Sequence, residues 1–472
     1  MLPNSRAAFV VSTLLLTAAT APARAQEAER PQEAHRPSVL DRPLVEATFR
    51  DDSLDAVEDG TPGVRPEERP ALAKLIAHAT RLDRPTRDRA IRRLMSTRRE
   101  AWNDPEKKFR PLTDLATHPS EYRGRPIRVW GTIRRIARHS ATDDLPEHYA
   151  LSLVPSASED DSAFAELRLV APRLPEGLSP GDDLDVPALA SAWLLKLSGG
   201  GEPAEADGGG LVPTMVADEL IPFDTDLAEP ILREIRSRRF TILPQERDAY
   251  LQSLLQARLV DPSRLEAAAD EFLRKRMAER GSNKSLATYE RYLDAYRQPE
   301  AYRGRPVTFR GHARRIAEME VEENEYGIDT IYEVWLFTED SQGNPLVVAC
   351  TSIPDGIPTG RDLVPAVETV EVTGYLLKMT GYGARDTNRI VPLVVAGRLK
   401  WTIPPESPTV GALWWVLGPI TGIVLAAIAF LVLRSRAEER AFRARRARET
   451  GEGAAPDFDA LAERPRPDDA PR

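Results

Sequence analysis

Cysteine is almost absent from this sequence, which has one, Cys350, among 472 residues. A single cysteine excludes an intrachain disulfide, so the fold must rest on burial of apolar side chains, which a chain of this length can supply. Cys350 is either a reactive or intermolecular thiol or a small buried residue of a strand. The second reading is favoured, because free cysteine is among the most buried residue types.

Histidine is also scarce, and no spacing typical of a metal site occurs among the six: His35, His78, His118, His139, His148 and His312. The phosphate-binding patterns G-x-x-x-x-G-K-[ST] and G-x-G-x-x-G are missing. Acidic residues lie between the glycine triplets 199–201 and 208–210, which opposes phosphate binding. We therefore expect no metal and no cofactor.

One segment, residues 177–181, fits the G-x-S-x-G pattern of serine hydrolases with Ser179 as the nucleophile. In those enzymes the residue after the serine donates its backbone N–H to the oxyanion, and Pro180 has no N–H to donate. The pattern is therefore that of a turn. With no other catalytic motif in the chain, we predict that the protein is not an enzyme.

Long hydrophobic runs are confined to the two ends. Arg6, the apolar stretch 7–19 and the Ala-Arg-Ala at 23–25 are typical of a signal peptide, which we place at residues 1–25. The apolar stretch is too short to cross roughly 30 Å of hydrocarbon. Residues 26–65 are polar, acidic and proline-bearing, which favours a disordered linker.

The second run, Val410 to Leu433, is twenty-four residues without a charge, enough for a transmembrane helix. Trp414 and Trp415 lie at its start, and seven arginines follow its end: Arg434, Arg436, Arg440, Arg443, Arg445, Arg446 and Arg448. Positive charge marks the cytoplasmic side. We predict a single-pass protein of the cytoplasmic membrane, with residues 410–433 in the bilayer, the tail 434–472 in the cytoplasm and the body in the periplasm.

The transmembrane segment carries two opposing signals about self-association. Gly418, Gly422 and Ala426 fall every four residues and form one small-residue ridge, which favours a homo-oligomer. Pro419 lies within the same ridge and tends to kink the helix, which opposes close approach. Both outcomes stay open.

Positive charge is in deficit outside the membrane. Between the signal peptide and the end of the apolar run there are 52 Lys and Arg against 64 Asp and Glu, a net charge of −12. A body this acidic repels phosphate backbones at long range, so nucleic acid is an unlikely partner.

The body contains an internal duplication. Residues 122–137 recur as 302–317, with ten of sixteen positions identical, and both begin Tyr-Arg-Gly-Arg-Pro. Residues 175–183 match 354–362, and the segment 193–199 matches 375–381, in the same order. Two copies of one module are therefore expected.

The second copy shows five strand-like segments: 307–316, 332–337, 346–351, 370–379 and 390–401. Gly131 and Gly311 lie within the first strand of each copy, where a glycine permits the sharp bend of a barrel corner. We expect a mainly β fold with helical segments: two tandem five-stranded barrels, each preceded by helices, plus one transmembrane helix.

The Tyr-Arg-Gly-Arg-Pro opening and the later strand Val370-Glu-Val-Thr-Gly374 resemble OB-fold domains. The whole layout resembles uncharacterised bacterial envelope proteins that carry tandem OB-like domains before a C-terminal membrane helix. This resemblance implies barrels more firmly than it implies a ligand, because OB-folds bind oligonucleotides, oligosaccharides and proteins.

The segments that precede the two barrels have the sequence pattern of helices. Charged stretches with helical periodicity precede each barrel, and in the second of them Asp261 and Pro262 form an N-cap and first turn. The predicted domains are a helical segment at 66–109, barrel 1 at 110–223, a helical linker at 224–298 and barrel 2 at 299–403.

Aromatic and basic residues concentrate in the second copy. Side chains of both kinds together can stack on bases, sugars or protein groups, and packing within the barrel is the alternative. The predicted binding surface comprises Arg310, Arg314, Arg315, Tyr332, Trp335, Tyr375, Lys378, Tyr382 and Arg385. Because the first copy lacks these aromatics, we expect barrel 1 to be structural and barrel 2 to bind.

These features together predict a membrane-anchored, non-enzymatic protein that presents tandem OB-like modules to a protein or glycan partner outside the cytoplasm. The alternative is a receptor for single-stranded nucleic acid at the cell envelope, which conflicts with the acidic body.

Overall fold

The computed structural model describes residues 42–102, 108–156, 163–199, 210–236, 241–360, 367–383, 388–402 and 410–449. The predicted signal peptide and the end of the predicted cytoplasmic tail lie outside these ranges.

The first copy forms a closed barrel in the order β1-β2-β3-β5-β4. Its strands are β1 (Pro126–His139), β2 (His148–Pro155), β3 (Leu167–Ala171), β4 (Val186–Ser198) and β5 (Val212–Pro222). The helices before and after these strands are α1 (Arg42–Ala47), α2 (Arg69–Arg81), α3 (Arg84–Ala101), α4 (Pro111–Thr117) and α5 (Glu229–Leu232).

The second copy repeats this order as β6-β7-β8-β10-β9, again closed. Its helices are α6 (Arg247–Leu259), α7 (Pro262–Glu279), α8 (Arg291–Arg297) and α9 (Pro299–Tyr302). Its strands are β6 (Pro306–Glu320), β7 (Thr330–Phe337), β8 (Leu346–Ser352), β9 (Val367–Gly383) and β10 (Asn388–Trp401). The predicted fold class, with two five-stranded OB-like barrels preceded by helices, is confirmed.

Each barrel closes because its long first strand pairs with two neighbours. The first half of β1 pairs antiparallel with β4 and its second half pairs antiparallel with β2, and the parallel pair β3 and β5 completes the circle. The changeover falls at Gly131, where an added Cβ would overlap the backbone oxygen of Val154. Gly311 has the same relation to the backbone oxygen of Phe337. Glycine is needed at both positions because another backbone passes there.

One helix of each unit buries an apolar face against the core of its barrel. Ile91, Leu94 and Met95 of α3 belong to the core cluster of the first barrel, and Phe272 of α7 packs against the core of the second. The predicted cap is confirmed, since Asp261 accepts a hydrogen bond from the Arg264 backbone N–H at 2.9 Å. These helices support their own barrels.

The outer face of the barrels is covered as well. In the first copy α2 packs on β4 and β5, and Val170 of β3 joins the same apolar cluster. In the second copy α6 packs on β8 and β10. The helices α2 and α6 therefore cover part of the outer surface of the third and fifth strands of their barrels.

The expectation of a disordered linker over residues 26–65 is wrong for its second half. Ala47, Phe49 and Val57 are buried in one cluster with Leu72 and Leu75 of α2. Trp193 on β4 donates its indole N–H to the Ala47 carbonyl at 2.9 Å. A few apolar side chains in a polar segment are enough to anchor it, because they cover the outer side of the barrel. Residues 26–41 lie outside the described ranges.

The C-terminal helix α10 (Val410–Glu449) contains the predicted transmembrane segment. It is long and apolar enough to cross a membrane, and none of its described apolar window is buried against the rest of the protein. Pro419 lies inside this helix.

Contacts divide the chain into two units. Unit 1 contains the chain up to Ile231 together with Glu322–Asp329, and unit 2 contains Leu232–Val321 and the chain from Thr330. Within unit 1 the side chain of Tyr326 is buried and accepts a hydrogen bond from Arg128. Trp130 donates its indole N–H to the Glu325 carbonyl at 3.2 Å.

Candidate functional site

A buried ion pair occurs at the same place in both copies. In unit 1 the Lys196 ammonium lies 2.8 and 2.9 Å from the two carboxylate oxygens of Glu68. In unit 2 Lys378 lies 3.2 and 3.0 Å from those of Glu246. All four side chains are 0% exposed. Each pair joins the fourth strand of a barrel to the short 3₁₀ turn that precedes α2 or α6.

The two glutamates also accept backbone hydrogen bonds. Glu246 accepts from the N–H groups of Arg236 and Leu243, at 2.5 and 2.8 Å. Burial alone would raise the pKa of Glu246, but these N–H groups and the Lys378 ammonium outweigh it and hold the pKa below its ordinary value. Glu68 has the same balance with Lys196, and its pKa is also lowered. The lowered pKa keeps both glutamates ionised, and each pair fixes the covering helix to its barrel.

The tyrosine that opens the duplicated motif is structural. Tyr122 is fully buried and donates its hydroxyl to Asp114 at 2.6 Å, and Tyr302 donates to Asp294 at 2.8 Å. Arg98 reaches both oxygens of Asp114, at 2.8 and 2.9 Å. Arg276 does the same at Asp294, at 2.9 and 3.2 Å. In both copies this contact ties the short helix before the barrel, α4 or α8, to the long helix α3 or α7.

Four of the nine residues predicted for the binding surface cannot be assigned to it. Tyr375 is fully buried with its hydroxyl near Gln256, and Lys378 belongs to the buried ion pair. Every residue of β9 from Gly374 to Met379 is buried, so both faces of this part of the strand are covered. The side chain of Tyr382 and all of Arg385 lie outside the described residues.

The remaining predicted residues lie on the first two strands of the second barrel. Arg315 on β6 is opposite Trp335 on β7, and its guanidinium lies 4.9 Å from the indole centroid. Glu333 joins them, since it is 3.3 Å from Arg315 and accepts the Trp335 N–H at 3.0 Å. Tyr332 is directed to the other side, where it packs against the barrel core. Arg315 and Trp335 are therefore brought together, and Tyr332 is separated from them.

The sequence prediction did not include Glu333, His312 and Phe337, which lie beside this pair. Arg310 is exposed and forms an ion pair with Glu371 on β9. The His312 ring stacks on Phe337, with centroids 5.6 Å apart. His312 lies opposite Phe337 in the β6–β7 register. That register includes a bulge between Ala313 and Arg315, which is not visible in the sequence. We call Arg310, His312, Arg314, Arg315, Glu333, Trp335 and Phe337 the β6–β7 surface.

Other candidates from the sequence have structural roles or none. Cys350 is buried, and burial raises its thiol pKa to about 12, so it stays protonated. Ser179 is exposed in the loop that follows the turn at Gly177, whose φ is +89°. His139 and His148 stack at 5.0 Å as cross-strand neighbours. Within the described ranges no cluster of three or more side chains could hold a metal ion.

Comparison with known proteins identifies no family. No family model matches this chain, and no curated protein is detectably similar to it. A crystal structure of fission yeast Pot1 and ssDNA aligns with 66% of this chain and 95% of its own, at 10% sequence identity and a TM-score of 0.15. A likeness this low supports no conclusion about fold or ligand.

Proposed function

We propose that this protein is a membrane-anchored, non-enzymatic binding protein that presents its two OB-like barrels to a protein partner outside the cytoplasm. The supporting observation is the covering helix of each unit. OB-folds bind oligonucleotides and oligosaccharides on the face of their second and third strands. Here α2 and α6 pack over the third strand, and a buried Lys–Glu pair anchors the start of each.

The β6–β7 surface stays accessible in the second barrel. It combines a tryptophan with arginines and has half-buried aromatic rings beside exposed charges. Tryptophan and arginine are the residues most enriched at the energetic centres of protein interfaces. The acidic body adds to this preference, because it repels nucleic acid and leaves protein surfaces as the expected target.

The test uses the full chain in nanodiscs as bait for envelope proteins, with Arg314→Glu as the variant. Arg314 is exposed on the β6–β7 surface, so its replacement should leave the thermal midpoint unchanged. We expect capture of the partner to fall about tenfold, since reversing an interface charge costs over 1 kcal/mol. Arg398→Glu is the matched control, an arginine that is also exposed and lies on β10 of the same barrel.

Equal capture by Arg314→Glu and wild type would contradict a role for this surface. Retention of a labelled single-stranded oligonucleotide that weakens steeply with added salt would instead support the nucleic-acid alternative. Retention of oligosaccharides with no captured protein would overturn the choice of partner.

A further inference from the structure

Unit 1 contains a cavity of about 500 Å³ that pattern reading did not anticipate. It lies where the start of α3 meets β5 and the segment after β3. Its charged lining residues are Arg84, Arg87, Arg173, Asp218 and Glu219, and leucine and proline side chains complete the wall. Three arginines against two acids leave the lining with a net positive charge, inside a body that is acidic overall.

Arg87 is the fixed part of this lining. Its side chain is 3% exposed, and it donates to Asp218 at 3.1 Å and to Glu219 at 2.6 Å. The guanidinium of Arg84 lies 3.4 Å from the other oxygen of Glu219. These contacts hold the two acids of β5 at the cavity wall.

Asp218 is not fully satisfied by these contacts. Its side chain is 8% exposed, and its second oxygen, Oδ1, has no hydrogen-bond partner among the described residues. Burial raises the pKa of this carboxyl, although Arg87 and Arg173 lower it in part. Asp218 lines the cavity, so a donor that a ligand places there can reach its carboxylate. A buried acceptor without a hydrogen bond lowers the stability of the folded protein, and a hydrogen bond from a ligand N–H would recover that free energy.

Arg173 provides a positively charged donor in the same cavity. Arg173 lines the cavity and is exposed to solvent. It forms no ion pair with any residue that the structure describes. Its charge acts on Asp218. The cavity therefore offers an arginine fork suited to a carboxylate and an oxygen that lacks a donor.

The duplication provides an internal control for these side chains. At the matching positions of the second copy, Arg87 is replaced by Leu265, Arg173 by Ser352 and Asp218 by Gly397. The second barrel closes in the same order without these charges, whereas the buried Lys–Glu pair is present in both copies. The fold does not require the charged cavity, so a role specific to the first copy is indicated.

The lining restricts the class of ligand. It contains no aromatic side chain, so bases and sugars would have nothing to stack on. We propose that unit 1 binds an extended peptide segment of a partner protein that carries a carboxylate. Arg173 pairs with the carboxylate, Asp218 accepts a peptide N–H, and the leucine and proline wall contacts an aliphatic side chain. This proposal rests on the proposed function, because it names the chemistry of the partner.

The experiment compares two pentapeptide mixtures, randomised at four positions and carrying Glu or Gln at the centre. The full chain in nanodiscs is incubated with both, and retained peptides are measured by mass spectrometry. We expect the Glu mixture to be retained about tenfold better, as a charge-assisted hydrogen bond predicts. Arg173→Gln should remove this preference with an unchanged thermal midpoint. Arg138→Gln, an exposed arginine of the same barrel paired with Glu147, should keep it.

Equal retention of the two mixtures, or a preference that survives Arg173→Gln, would overturn the proposal. Displacement by inorganic phosphate as readily as by the Glu peptides would also overturn it, because it would indicate a general anion site. Protein capture on the β6–β7 surface is measured separately. If that capture persists while the two mixtures behave alike, the cavity proposal fails and the proposed function stands.

Discussion

Lys378 has a role in holding unit 2 together, although sequence pattern places it among binding residues. Replacing it with Met leaves Glu246 buried without its cation, which costs about 3–5 kcal/mol. We expect hydrogen exchange in β9 and β10 to accelerate strongly while unit 1 stays protected. Combining Lys378→Met with Glu246→Gln should cost less than the single change, because no unpaired charge remains.

Lys196→Met is the matched change for unit 1, and it should loosen β4 and β5 in the same way. If Lys378→Met instead abolished partner capture with exchange unaltered, Lys378 would return to the binding surface.

Cys350 should be chemically inert in the folded protein. Its thiol is buried and its pKa is raised to about 12, so almost no thiolate is present at neutral pH. We expect no alkylation by iodoacetamide at pH 8 in the native state and rapid alkylation in denaturant, both followed by intact mass. Labelling of the native protein at the rate of a free thiol would contradict a packing role.

Asp218 should lower stability at neutral pH. Its folded pKa is raised by burial, so folding favours the neutral acid and wild-type stability declines as the pH rises above the unfolded value of about 4. Asp218→Asn is therefore expected to melt at a higher temperature than wild type at pH 7. Below about pH 4 both side chains are neutral, and the two midpoints should converge. A lower midpoint for the variant at pH 7 would show that the Arg87 contact outweighs burial.

Among the elements, the first strand of each barrel depends most on a single residue. A methyl group at position 131 would meet the Val154 backbone, which cannot move without breaking the β1–β2 ladder. Gly131→Ala should therefore destabilise unit 1 by about 1–3 kcal/mol, measured by denaturant unfolding. Gly210→Ala is the control, since no described atom lies within 4 Å of a Cβ there. Equal effects of the two changes would refute the close-approach explanation.

The fourth strand of each barrel, β4 or β9, shows why a sequence pattern alone does not predict which face of a strand is exposed. β4 is buried at almost every position, because the barrel core covers one face and α2 with the segment around Phe49 covers much of the other. Alternation predicts one solvent-facing row, and such a row is missing here. Trp193 in β4 and Tyr375 in β9 are consequently packing residues.

For the whole molecule, the central expectation is its orientation in the membrane. The arginines after Leu433 should hold the tail in the cytoplasm. A reporter fused after Arg448 should be active in the cytoplasm, and protease added outside should digest the barrels and spare the tail. Digestion of the tail from outside would reverse the topology. A cytosolic location after cell fractionation would show that α10 is not a membrane helix.

The sequence alone determined the duplication, the five strands of each barrel and the apolar C-terminal helix. These features depend on local periodicity, on repeated segments and on the length of an uncharged run, all of which can be read along the chain. Pattern also argues against a nucleophile at Ser179, because Pro180 has no backbone N–H to donate to an oxyanion.

Tertiary structure alone decided which side chains are available to a partner. Arg87 and Asp218 are 131 residues apart in sequence, and Lys378 and Glu246 are 132 apart, so no local pattern could pair them. The helical segment before the second barrel covers Tyr375 and Lys378, whereas Arg315 and Trp335 meet across two neighbouring strands. Exposure depends on what packs against a residue, and in these barrels the packing element comes from far away in the chain.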